Sequence, residues 1–269
     1  MPAKKGYRGR KPNTKRFEKN VQEIVRKQLT QEIEEKHCIV DYVRTVNPAI
    51  TSGNVTSNPN FFQLMPEISQ SVSGSAGKAY NTRIGNEINL KELEVNGFIN
   101  YASERALDNT NAKLAVRIMI LRAKEINDQE TLFQDMPTDS LIRFGNFASG
   151  TPNGAAAYQG FTLDSFRDIN RDAFSVRYDK VINLNADRVL SGTTSVTTTY
   201  TPSGVRLFSH KLKFGKNGLK LKYSSQADEQ ANNMPYFMVV GYSSMTENTV
   251  PALALVDVNC SVVGTYTDA

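Results

Sequence analysis

Tryptophan is absent from the 269 residues, cysteine and histidine occur twice each, and no apolar run approaches the eighteen or more residues of a membrane span. Each scarcity removes a class of function. Without tryptophan, a sugar-cleaving β-sandwich would lack the aromatic rings that usually line its subsites. Cys38, Cys260, His37 and His210 are too few for a zinc site of ordinary ligand spacing. There is no G-x-S-x-G, no phosphate loop of the Walker type and no H-E-x-x-H. Asp164 and Asp168, or Asp168 and Asp172, stand at helical spacing, but aspartates so placed serve mainly as caps and surface charges. These absences predict a protein that is not an enzyme. The two cysteines read as reduced, buried thiols, and a disulfide between them would require their strands to meet. With no apolar stretch to make the basic start a signal peptide, the sequence predicts a soluble, cytosolically made protein with no membrane partner.

Acid is the other thing missing, and only locally. The opening MPAKKGYRGRKPNTKR carries Lys4, Lys5, Arg8, Arg10, Lys11, Lys15 and Arg16 with no acidic residue. Up to Lys27, with Lys19, Arg26 and Lys27 added, ten basic residues stand against Glu18 and Glu23, a net of +8; the remaining 22 basic and 25 acidic residues net −3. A mildly acidic body with a basic arm is the charge layout of a chain whose arm meets a polyanion while its body meets solvent or copies of itself. Residues 1–14, with Gly6, Gly9, Pro2 and Pro12 and no apolar periodicity, are expected to be disordered until bound.

From residue 15 to 36 the pattern predicts a helix. Phe17, Val21, Ile24, Val25, Leu29 and Ile33 recur at spacings of three and four, with Asn13 or Thr14 as N-cap. Its charges oppose the macrodipole, since Lys15 and Arg16 lie at the positive end and Glu32, Glu34 and Glu35 at the negative end. A basic half reaching a polyanion explains that order; an amphipathic helix docked on its own domain is the other reading.

Residues 37–269 read as one β domain. Short alternating or β-branched runs separated by Gly, Asn, Pro, Ser and Thr predict strands over 38–46, 60–68, 87–102, 112–124, 140–148, 173–185, 205–214, 218–223, 234–244 and 252–266, with short helical turns near 128–136 and 162–169. The parity change after Leu90 predicts a bulge at Lys91 or Glu92, and AKLAVRIMILRAK, apolar on both faces, predicts a central strand. The polar run 191–204 reads as a surface loop or hairpin. In HKLKFGKNGLKLKYSS an Asn217-Gly218 turn would fold 205–223 into a hairpin, setting Lys213 opposite Lys222 with Lys211 and Lys220 beside them. Like charges across a ladder repel, so a nucleic acid or an acidic neighbour would relieve them; lysines splaying into water is the alternative. About eight main strands without βαβ alternation predict an antiparallel sandwich.

The basic arm running into a helix, RIGNEINLKELEVNGFI, VRIMILRAK, RDAFSVRYDKVINLN, PYFMVVGYSS and the terminal VVGTYTDA together resemble capsid proteins of small circular single-stranded DNA (CRESS-DNA) viruses, of the jelly-roll type similar to the satellite tobacco necrosis virus coat protein. The resemblance implies an all-β, eight-stranded antiparallel viral jelly roll whose copies assemble into a small icosahedral T=1 shell, with the arm inside on the genome. It also implies that Phe17, Val21, Ile24, Leu29 and Ile33 pack against symmetry mates, and that structural calcium lies between subunits with Asp268 as a carboxylate ligand. A single-stranded DNA genome, with RNA as the alternative, would pair with Lys4 to Lys27 and, as a further set, Lys211, Lys213, Lys220 and Lys222. KKGYRGRK would then double as a nuclear localisation signal, placing the protein in the virion and, during assembly, in the host nucleus. A non-capsid nucleic-acid-binding β-sandwich is the rival reading, and it predicts a basic groove on a body that is instead net acidic.

Overall fold

The computed structural model describes residues 18–25, 35–51, 58–70, 82–102, 112–128, 131–132, 136–144, 154–191 and 197–268, with backbone only over 187–203. They fall into two units, divided between Glu35 and Lys36. The first contributes a helix over 18–25. The second holds β1 (Lys36–Val46), β2 (Phe61–Gln63), β3 (Glu87–Tyr101), β4 (Lys113–Ala123), β5 (Ile142–Phe144), β6 (Gly154–Ala156), β7 (Phe174–Ser191), β8 (Thr197–Ser203), β9 (Arg206–Lys213), β10 (Leu219–Lys222), β11 (Phe237–Ser244) and β12 (Val256–Asp268).

Alternation of side chains places Ile88, Leu90, Leu93, Val95 and Ile99 of β3 on one face, all fully buried. β12 lies along one edge of β3 and β1 lies beyond it; β9 and then β10 run along the other edge, all antiparallel. The second sheet runs β2-β11-β4-β7-β8, and β5 pairs with β6 separately. With β9 and β10 counted as one interrupted strand, the eight principal strands are ordered first-eighth-third-sixth and second-seventh-fourth-fifth. Those interleaved Greek keys define a jelly roll. Residues of both inner faces, among them Val95, Ile99, Val116, Ile118, Val240, Val258 and Val262, form the main core. A second cluster, including Met119, Leu121, Leu141, Ile142, Tyr158 and Phe174, covers the outer face of β4 with the segment that joins β4 to β7. β4 is therefore buried on both faces and central between β11 and β7, as its sequence implied.

The predicted bulge is at Lys91, skipped where Thr265 opposes Glu92 and Tyr266 opposes Leu90. Of the 191–204 run, 197–203 form β8, paired antiparallel with β7 and with Asn185 opposing Ser203, while 192–196 lie outside the described residues. Four expectations fail. Lys36 begins β1 and is no part of a helix, because the β1–β12 ladder captures it opposite Tyr266. The 60–68 strand is confined to Phe61–Gln63, the residues that pair with β11. Ser140 closes a helical turn, Thr138–Ser140, so the 140–148 strand starts at Ile142; it runs to Phe144, and 145–148 lie outside the described residues. The 205–223 hairpin does not form: a turn centred on Lys216 and Asn217, closed by the Gly218 N–H donating to the Gly215 carbonyl at 3.3 Å, carries the chain onward along β3. The Phe214 N–H donates to the Lys91 carbonyl at 3.0 Å, so the bulge on β3 and the break between β9 and β10 coincide.

The two cysteines do sit on adjacent strands, yet Cys38 opposes Gly264 while Cys260 opposes Tyr42. Four residues of offset, about 13 Å at a strand's rise, put them beyond the reach of a disulfide. Both are free and buried; burial raises both thiols, that of Cys260 to about 12.

Arg83 ties the loops at one end of the sandwich. Completely buried, it donates from Nε to the Ile68 carbonyl (3.2 Å), from Nη1 to the Gly85 carbonyl and Asn86 Oδ1 (3.2 Å), and from Nη2 to the carbonyls of Ser225 and Asp228 (each 2.8 Å). Its guanidinium lies 4.1 Å from the centroid of the Tyr223 ring. A planar fork satisfies these carbonyls from several directions, which an ammonium cannot do. Arg83→Met is expected to cost at least about 3 kcal/mol by leaving buried acceptors unpaired, and Arg83→Lys to recover little; denaturant midpoints with an unchanged slope check this. In the parent protein, neither cysteine should react with a thiol reagent faster than the chain unfolds.

Candidate nucleic-acid and assembly surfaces

Most of the basic arm lies outside the described residues: Lys4, Lys5, Arg8, Arg10, Lys11, Lys15, Arg16, Arg26 and Lys27 do, as do Phe17, Leu29 and Ile33 of the apolar stripe. What is described is the helix over 18–25, where Lys19 is exposed together with Val21 (40%), Ile24 (57%) and Val25 (47%). Three exposed branched side chains on two turns form an apolar stripe on the described helix.

The second set of lysines is described in full, and the structure removes the argument that linked it to phosphate. Lys213 does not oppose Lys222. Instead β3 offers acids at matching positions: Lys211 opposes Glu94, Lys213 opposes Glu92, and Lys222 opposes Glu87. Lys211 Nζ lies 2.7 Å from Glu92 and 2.9 Å from Glu94, and Lys220 Nζ 2.6 Å from Glu87. The relieving anion is an acidic strand of the same chain. Hydrogen bonds from Asn96 and Lys211 lower the Glu94 carboxyl, one from Lys220 lowers Glu87, and the bonds to Glu92 and Glu94 raise the Lys211 ammonium.

Asp268, the expected calcium ligand, is engaged within its own chain. Its Oδ2 lies 2.6 Å from Lys36 Nζ, and its Oδ1 accepts from the Ile84 N–H at 3.1 Å. Lys36 Nζ also donates to the Thr82 carbonyl at 3.0 Å. A cation is thus already supplied, by the first residue of β1, and it locks the end of β12 to the start of its neighbour. Among the described residues no cluster of three His, Cys, Asp or Glu could hold a metal ion.

Sequence reasoning missed a polar network on the outer face of the second sheet. Arg117, in the middle of β4 and almost fully buried, binds Asp179 of β7 through two parallel bonds of 2.8 and 2.7 Å, and donates from Nη1 to the carbonyls of Asp164 (2.7 Å) and Arg167 (2.6 Å). Asp164 accepts from the N–H groups of Gln159 and Phe161 and from Arg167 Nη1 at 2.7 Å, while Ser165 Oγ joins Tyr158 (2.9 Å) to Ser243 (2.6 Å). The signal available was a lone arginine within an otherwise apolar strand. These groups hold a short helical turn, Thr162–Ser165, against the sheet.

No family model matches the chain and no curated protein is similar to it. Among solved structures, a chain of the full particle of Israeli acute paralysis virus heated to 63 degrees is similar at a TM-score of 0.34 and 11% identity, covering 86% of this chain and 68% of that one.

The lysine–glutamate pairs generate a test with a defined sign. A carboxyl lowered by folding stabilises the folded state above the ordinary Glu value of about 4.3 and ceases to do so as pH falls through its folded value. Lys211→Met should therefore lower the thermal midpoint at neutral pH and low salt. The gap to the parent should close both below that pH window and in roughly 1 M salt, as scanning calorimetry would record.

Proposed function

We propose that this chain is a viral capsid protein, one whose copies assemble into a small T=1 icosahedral shell around a single-stranded genome held by the basic arm. The observation that carries the reading is the union of a jelly-roll domain whose residues 36–269 balance, 22 basic against 22 acidic, with a segment of net charge +8 in the first 27 residues. Jelly rolls are built as shell tiles and as ligand-binding domains alike; the second use calls for a site. The two deeply buried arginines, Arg83 and Arg117, are spent on holding loop carbonyls, a structural use.

The arm would work by charge number. Each phosphate it neutralises releases counterions, so affinity would fall with salt at a logarithmic slope of about −0.7 per contact on single strands. No readout of base edges is needed, which suits a protein that packages whatever genome it encloses. Tyr7 and Phe17 add two aromatic faces for occasional stacking. The genome we assign is single-stranded DNA, since KKGYRGRK would serve nuclear entry as well as packaging. Asp268, the carboxylate offered for calcium between subunits, is paired with Lys36 of its own chain.

Electron microscopy of the purified chain should show uniform hollow shells, and a monodisperse single chain at every salt and calcium concentration would overturn the assignment. Removing residues 1–27 should leave shells that no longer protect nucleic acid from nuclease. Unchanged protection would relocate packaging to the body and favour the rival nucleic-acid-binding sandwich.

A further inference from the structure

The outer face of the β1-β12-β3-β9 sheet has the composition of an interface. Read across the strands, one row places Val43, Asn259, Phe98 and Leu207 in line. Val43 is 83% exposed, Leu207 79% and Phe98 37%, and Ile39 (62%) lies two rows along in line with Val263. Single exposed apolar residues need no explanation, but a row across four paired strands is a patch.

Charge on that face is divided by strand. The β1–β12 half carries Asp41 and Asp257 outward, the latter accepting from Thr45 Oγ1 at 2.6 Å, with His37 beside Thr265 at the far end. The β9 edge carries Lys211 and Lys213. Between them on β3, Glu92 and Glu94 are bonded to Lys211.

From this arrangement we propose that the face is a two-fold interface between copies of this chain, with β1 of one copy lying over β9 of the other; the proposal rests on the self-assembly reading above. A two-fold axis parallel to the strands keeps each row on itself and reverses strand order. Val43 then meets Leu207 of the second copy, Phe98 meets Asn259, and Asp41 falls one row from Lys211. An axis across the strands would keep β1 over β1, setting Asp41 on Asp41 if it passed through that row, or Asp41 over Thr45 and away from the lysines if it passed through the Val43 row. Only the first arrangement lays the acidic β1 half over the lysine-bearing β9 edge, and as a two-fold contact it is isologous. Aligned sheets pack about 10 Å apart and within about 30°. Four strands by nine residues make a footprint of roughly 19 by 30 Å, on the order of 550 Å² a side. Both sides together clear the threshold of about 1,000 Å² for a specific interface.

The arrangement can be tested with two full-length single variants, Val43→Cys and Leu207→Cys, assembled separately and as an equal mixture, then treated with a short bis-maleimide. The native cysteines are buried and silent. The mixture should give covalent dimers and each variant alone should not, because positions 43 of paired copies lie on opposite edges of the contact. Leu207→Asp in the parent chain should abolish the pairing and shift sedimentation toward single chains. Shells in micrographs without mixture-specific dimers would overturn this interface and leave the shell reading standing, whereas single chains throughout would overturn both. Equal cross-linking of the separate variants would refute the two-fold axis proposed.

Discussion

Strand β3 is the constraint on which the jelly roll depends. Fifteen residues long, it is bonded on one edge by β12 and on the other by two strands in succession, and its buried residues supply much of one wall of the core. A strand of that length accumulates twist. The bulge at Lys91 resets the register on the β12 side, and on the opposite edge the chain breaks between β9 and β10 at the same level. Its outward acids then meet lysines from both strands. The same strand thus closes the sandwich and neutralises a basic row that would otherwise repel itself.

The two sheets treat their outer faces in opposite ways. Over β4 and β7 the connection is long, and it returns across the sheet to bury Met119, Leu121 and Phe174 beneath it, with Arg117 and Asp164 anchoring the turn. Over β1, β12, β3 and β9 no described residue covers Val43 or Leu207. A buried arginine and two aspartates help cover one apolar face while the other is left bare among the described residues, and the two-fold contact proposed above would cover it.

Much of this was legible beforehand, for reasons that can be named. A parity slip after Leu90 can only mean an extra residue in a strand, and the bulge is at Lys91. A strand apolar on both faces, Leu114 to Leu121, must be covered on both, and β4 is. The 205–223 segment misled because Asn-Gly between alternating apolar runs is the usual hairpin signal, whereas β3 offers both runs a longer partner bearing opposite charge. The pairing of Asp268 was equally invisible: its partner Lys36 is 232 residues away in the chain.

Local composition by itself determined the class of the domain, the places of its long strands, and the separation of a basic arm from the rest of the chain, because periodicity and charge are written residue by residue. Tertiary structure alone decided which strands are neighbours, which lysines are already neutralised, where Asp268 finds its cation, and which apolar side chains are left in water. Those are outcomes of competition between distant segments for the same edge or the same charge, and pairing across a sheet has no signature within either partner.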